Sequence, residues 1–118
     1  MPRTSNAPAS RRRRKKYIKK ASGYRGSRHR LMKTSRQAVE HAGLYAYRDR
    51  KARKRDFRRL WIARINAATR ANGMPYSRFI LGLRKANIDV NRKMLAEMAV
   101  SDEEGFTKLV ELAKAELE

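Results

Sequence analysis

The 118-residue sequence predicts an all-α protein, with a long basic N-terminal helical extension and a small C-terminal helical domain. Three observations carry that expectation. From Ser27 to Asn72 there is no proline and a single glycine, Gly43, in a run dominated by helix formers. Beyond Gly73 the large apolar residues recur at helical spacing in short stripes, and no segment alternates as a strand would. Residues 1–59 carry 22 Lys/Arg against three acids (Glu40, Asp49, Asp56), net +19, whereas residues 60–118 carry nine against eight, net +1. Large apolar side chains run the other way, 7 against 20, so only the second half can bury enough surface to offset chain entropy. The expected division is a basic extension over 1–59 and a globular domain over 60–118, the long helix running on to about residue 72.

The elements follow in chain order. Residues 1–10, with Pro2, Ser5, Pro8 and Ser10, read as disordered or laid along a surface. Arg11, Arg12, Arg13, Arg14, Lys15 and Lys16, then Tyr17, Ile18, Lys19 and Lys20, suit a short helix once their charge is neutralised. Gly23-Tyr24-Arg25-Gly26 signals a turn. The run from Ser27 to Asn72 would make a helix of roughly 65 Å, stopped by Gly73 and Pro75 and free to bend at Gly43. Leu60, Trp61, Ile65 and Ala68 form the apolar face of its last turns, where Trp61 and Ile65 are expected in the core rather than in a ligand pocket. Phe79, Ile80, Leu83 and Ala86 give a second stripe. Val90-Asn91 reads as a staple residue and N-cap ahead of Leu95 and Met98. Ser101 with Glu104 reads as a capping box, opening a last helix whose stripe is Phe106, Leu109, Val110, Ala113 and Leu117.

Function is narrowed first by exclusion. The absence of cysteine removes disulfides, thiolate metal sites and a cysteine nucleophile. His29 and His41 lie twelve apart with few acids nearby, so no metal is expected, and no cofactor. No phosphate-cradling glycine loop, nucleophile elbow or zinc signature occurs, so neither an enzyme nor a small-molecule substrate is expected. No run of about 18 apolar residues could span a membrane, and the N-terminus lacks the apolar stretch of a signal peptide.

A formal charge of +20 instead points to a polyanion. In residues 48–59, Arg48, Arg50, Lys51, Arg53, Lys54, Arg55, Arg58 and Arg59 point all the way round a helix axis. A reader of one DNA groove would concentrate its cations on one face, and a membrane-surface helix would show an apolar face. This segment does neither. Eight charges over about 18 Å approach the linear charge density of duplex nucleic acid, so the isolated helix should fray and phosphates on several sides should stabilise it. Folded RNA offers such clefts. Tyr17, Tyr24, Tyr45 and Tyr47 sit among the cations, placed to stack on bases or donate to phosphates. His29, between Arg28 and Arg30, is expected to contact RNA, as are Arg25, Lys33 and Arg36. The competing readings are a basic, chromatin-type DNA binder, a membrane-active basic peptide and a nuclease.

The stretches Gln37-Ala38-Val39, Ala42-Gly43-Leu44-Tyr45-Ala46-Tyr47-Arg48-Asp49-Arg50 and Lys54-Arg55-Asp56-Phe57-Arg58-Arg59-Leu60-Trp61-Ile62-Ala63-Arg64-Ile65-Asn66-Ala67-Ala68 closely resemble the bacterial large-subunit ribosomal protein L-twenty family. The likeness extends to Lys19–Tyr24 and Tyr76–Leu83, with Pro75 standing where a polar cap is expected. The resemblance implies a structural constituent of the large ribosomal subunit, in the cytoplasm, that binds large-subunit ribosomal RNA directly and supports early subunit assembly. It also implies an extension threaded through that RNA, a four-helix C-terminal domain, and neighbouring large-subunit ribosomal proteins as partners. Some members of the family bind their own messenger RNA, which joins the implied partners.

Overall fold

A computed structural model describes residues 6–117. They form six helices: α1 (Ala7–Lys20), α2 (Ser27–Arg30), α3 (Met32–Ala71), α4 (Tyr76–Lys85), α5 (Arg92–Ser101) and α6 (Glu103–Ala115), and no strand among the described residues. The fold is all-α, as the sequence predicts. The chain divides into two compact units, one ending at Lys51 and the other beginning at Ala52.

In the first unit, α1 begins earlier than the sequence suggested. Residues 7–10 are helical rather than irregular, because Pro8 stands in the first turn, where its fixed φ suits a helix and its missing N–H costs nothing. The expectation for residues 1–5 lies outside the described residues. Lys19 and Lys20 close α1 at the end where the dipole favours cations. The chain then turns through Gly23 and Gly26, with φ of 92° and 67°, in the left-handed region that glycine enters without strain.

The expected single helix from Ser27 is interrupted at Leu31, whose backbone is extended (φ −92°, ψ 129°). Neither glycine nor proline marks this break. Instead the Thr34 hydroxyl reaches the Ser27 carbonyl at 2.7 Å, which also accepts the Leu31 N–H at 3.0 Å, and the Leu31 carbonyl receives the Ser35 N–H at 2.8 Å. Both the amide and the carbonyl of Leu31 are thus partnered at the break. No bend is required at Gly43, which lies within α3.

In the second unit, Ile65 of α3, Met74, Phe79 and Leu83 of α4, Leu95 and Ala96 of α5, and Phe106, Val110 and Ala113 of α6 make one core. Phe79 and Phe106 meet at 5.4 Å between ring centroids, tilted, as aromatic pairs prefer. α6 lies against both α4 and α5. Gly82 and Ala113 mark the close crossing: a Cβ at Gly82 would overlap the Ala113 carbonyl oxygen. Leu60 is a correction to the predicted apolar face, being 43% exposed, while Trp61 is half-buried against the core.

Helix ends follow local chemistry. α3 stops in a Schellman arrangement, with Gly73 N–H on the Arg70 carbonyl (3.0 Å) and Met74 N–H on that of Thr69 (2.9 Å). Pro75 caps α4 without a side-chain bond, in extended backbone (ψ 147°) that only its carbonyl serves, accepting Phe79 N–H at 3.1 Å. Asn91 caps α5 as expected, its side-chain oxygen accepting Met94 N–H at 2.9 Å. The predicted Ser101–Glu104 box is displaced by one residue. Ser101 ends α5 and its hydroxyl donates back to the Glu97 carbonyl (2.8 Å), so Asp102 caps α6, accepting Gly105 N–H at 2.9 Å. A carboxylate also suits the positive end of the helix better than a hydroxyl does.

Candidate nucleic-acid interface

Nothing in α3 from Gly43 to Leu60 is buried, and only Ala52 is even half-buried. The sequence explains this, since eight cations distributed round the axis leave no apolar stripe to press against another element. Arg48, Arg50, Lys51, Arg53, Lys54, Arg55, Arg58 and Arg59 are accordingly all exposed. Two of them are partly neutralised within the helix. Arg48 Nε donates to Asp49 at 2.9 Å, and Arg59 lies 3.7 Å from Asp56. The other six have no carboxylate within ion-pair distance among the described residues.

The two tyrosines within this surface, Tyr45 and Tyr47, are engaged by cations. The Arg48 guanidinium lies 4.9 Å from the Tyr45 ring centre, and Lys51 Nζ lies 4.3 Å from that of Tyr47 while donating to its hydroxyl at 2.7 Å. Both rings stay more than half exposed, at 52% and 58%, so each presents a π surface beside a fixed charge. The Asp49 hydrogen bond, and then its charge, raise the Arg48 pKa above the ordinary guanidinium value; Glu40 acts in the same way on Arg36, at 2.8 Å. These arginines stay cationic throughout the neutral range.

In the first unit, Arg11, Arg12, Arg13, Arg14, Lys15, Lys16, Lys19 and Lys20 are all exposed along α1. Arg25, Arg28, Arg30, Lys33 and Arg36 are exposed around the turn and the start of α3, and Tyr24 is half-buried. Arg36 lies 5.8 Å from the ring centre of Tyr17. His29 is placed differently from its neighbours: half-buried, with Nδ1 sealed and without a hydrogen-bond partner, so an outside ligand reaches the ring only from its other side. A concavity of about 530 Å³ lies nearby, lined by Arg28, Gln37, His41 and Tyr45 among others.

One feature was missed from the sequence. Residues 60–118 sum to only +1, yet the structure gathers Lys54, Arg55 and Arg58 of α3 with Arg92 and Lys93 of α5 around a groove of about 690 Å³. Trp61 lines the same groove while packing against the core. The two cationic groups are more than thirty residues apart in sequence, and the only clue was the pair Arg92-Lys93 directly after a predicted cap. Among the described residues no cluster of His, Cys, Asp or Glu could hold a metal ion, and no helix is long and apolar enough to cross a membrane.

The family model described as Ribosomal protein L20 matches residues 3–109. The chain belongs to that family. Its relatives include proteins named large ribosomal subunit protein bL20 from Pelotomaculum thermopropionicum, 57% identical over 117 residues (99% of this chain, 100% of the relative), and from Staphylococcus carnosus, 56% identical over 117 residues (99% of each). Another, from Natranaerobius thermophilus, is 57% identical over 114 residues, 97% of each chain. As a Ribosomal protein L20 family member the chain is a structural protein of the large ribosomal subunit, in the cytoplasm, and not an enzyme.

Proposed function

We propose that this member of the Ribosomal protein L20 family binds large-subunit ribosomal RNA directly, through residues 11–36, Tyr45, Tyr47 and residues 48–59, and that it acts early in subunit assembly. The observation that carries the proposal is the exposure of every cation over residues 48–59, on all sides of one continuous helix. A helix so charged is at its most stable where phosphates approach from several directions and counterions are released. A cleft in folded RNA meets that requirement, whereas a single groove of duplex DNA covers only one side. Phosphate contacts then supply affinity, and the shape of the RNA junction supplies most of the specificity. Early action follows from the same geometry, because RNA closes round an extension more readily than an extension enters a finished cleft. The division at residue 59, with the basic extension threaded through RNA and the helical domain fixing its exit, belongs to this proposal, as do neighbouring ribosomal proteins as contacts. A segment of the chain's own messenger RNA is a ligand for the same surface where it folds into a comparable cleft.

Chemical footprinting of ribosomal RNA with and without the full chain tests the reading. Protection should be confined to a compact junction and should persist under excess duplex DNA at fixed salt. Equal competition by duplex DNA would favour a chromatin-type protein and end the proposal.

A further inference from the structure

The groove between α3 and the start of α5 has properties that binding of the RNA backbone along α3 does not require. Five cations line it (Lys54, Arg55, Arg58, Arg92 and Lys93) against a single carboxylate, Asp89. Arg92 and Lys93 are the first two residues of α5, so they place like charge at the helix end that is already positive. The Asn91 side chain satisfies Met94 N–H, and its carbonyl satisfies Leu95 N–H at 3.1 Å. The amides of Arg92 and Lys93 belong to the first turn, where helix geometry offers no acceptor. Arg92 is also oriented: its Nε donates to the Tyr76 hydroxyl at 3.0 Å, which leaves the two terminal nitrogens for a ligand. These groups together suit a phosphate.

A bare phosphate would leave much of the groove unfilled. At about 690 Å³ it falls in the range of pockets that hold whole small molecules, and Trp61 and Val90 give it an apolar wall. Trp61 is half-buried with Phe57 one turn before it, ring centroids 6.2 Å apart, and its remaining surface faces ligand-accessible space. In an A-form duplex the bases are stacked inside and present no π face to such a wall, whereas an unpaired base does.

The geometry points to a subsite in this groove for one splayed, single-stranded nucleotide of RNA, its phosphate held by Arg92, Lys93 and the start of α5 and its base stacked on Trp61. The inference rests on the RNA-binding reading and adds to it a place where a base, rather than backbone alone, is gripped.

Trp61 is the only tryptophan in the chain, so its emission reports on the groove. The test titrates the full-length protein at one salt concentration with oligouridylate, with an abasic strand of equal length, and with an RNA duplex. Oligouridylate should quench Trp61 and bind about tenfold more tightly than the abasic strand, the scale of one base stacked on an aromatic ring. The double variant Arg92→Ala/Lys93→Ala, whose side chains lie outside the core, should lose both the quench and the preference while keeping its helical circular dichroism. Equal affinity for the two strands, preference for the duplex, or a quench that survives in the double variant would overturn the subsite. Ribosomal RNA binding is measured in parallel: if it persists while the quench is absent, the subsite alone fails. A wild-type chain that binds no ribosomal RNA removes the broader reading as well.

Discussion

Neutralising Arg50 and Arg55 offers a quantitative test of how the basic helix works. Both are exposed, and neither has a carboxylate within ion-pair distance among the described residues. Each phosphate that an arginine neutralises releases close to one counterion, so the slope of log affinity against log salt should fall by about 0.7–0.9 for every phosphate deprived of its arginine. The double variant Arg50→Ala/Arg55→Ala should therefore reduce the slope by about 1.4–1.8. Between about 50 and 200 mM salt, that difference narrows the gap between wild type and variant by about tenfold. Arg48 and Arg59 supply the control. Their guanidinium groups already hold Asp49 at 2.9 Å and Asp56 at 3.7 Å, so a phosphate there displaces a carboxylate as well as a free counterion. Arg48→Ala/Arg59→Ala should lower the slope by clearly less. Fluorescence anisotropy of a labelled ribosomal RNA fragment across a salt series measures both. Equal slopes for the two variants, or a slope untouched by removal of Arg50 and Arg55, would refute the reasoning.

Three further outcomes are expected. Phe79→Ala removes a wholly buried ring that packs on Phe106, at a cost of about 3–5 kcal/mol; thermal circular dichroism should show the cooperative melt moving to lower temperature, and an unchanged melt would contradict the core described. Asp102→Ala should cost about 1 kcal/mol by removing the α6 cap, and Ser101→Ala much less; the reverse order in urea titrations would restore the Ser101 box. RNA affinity should be flat from about pH 6.5 to 9, since Lys and Arg stay charged across that interval. The pKa values of Arg36 and Arg48 are raised by their acceptors, so whatever those pairs contribute is present below the arginine range and disappears only as pH climbs through it. Affinity that changes steeply within that interval would contradict binding by arginine and lysine cations.

Much of the fold was written in local chemistry. Asn91 caps α5 because a short side-chain amide ahead of an apolar stripe has few better uses, and Gly73 ends α3 because its φ of 72° suits no other residue as well. The Ser101 error shows the limit of such reading. A hydroxyl can donate backwards to the Glu97 carbonyl as readily as it accepts forwards, and only the backbone path decides between them. The break at Leu31 was illegible for a related reason, being stitched by the Thr34 hydroxyl rather than announced by glycine or proline. The exposed cations of residues 48–59 were legible because no apolar stripe interrupts them. The groove was not, since Arg58 and Arg92 lie far apart in the chain and line one groove only once it has folded.

Hydrogen exchange along α3 at low ionic strength, with and without a ribosomal RNA fragment, addresses the mutual need of helix and polyanion most directly. Amides of residues 48–59 should exchange rapidly in the free chain, while those near the buried Ile65 stay protected, and RNA should slow the former by orders of magnitude. Full protection over residues 48–59 with no RNA present, unchanged on adding it, would contradict the account.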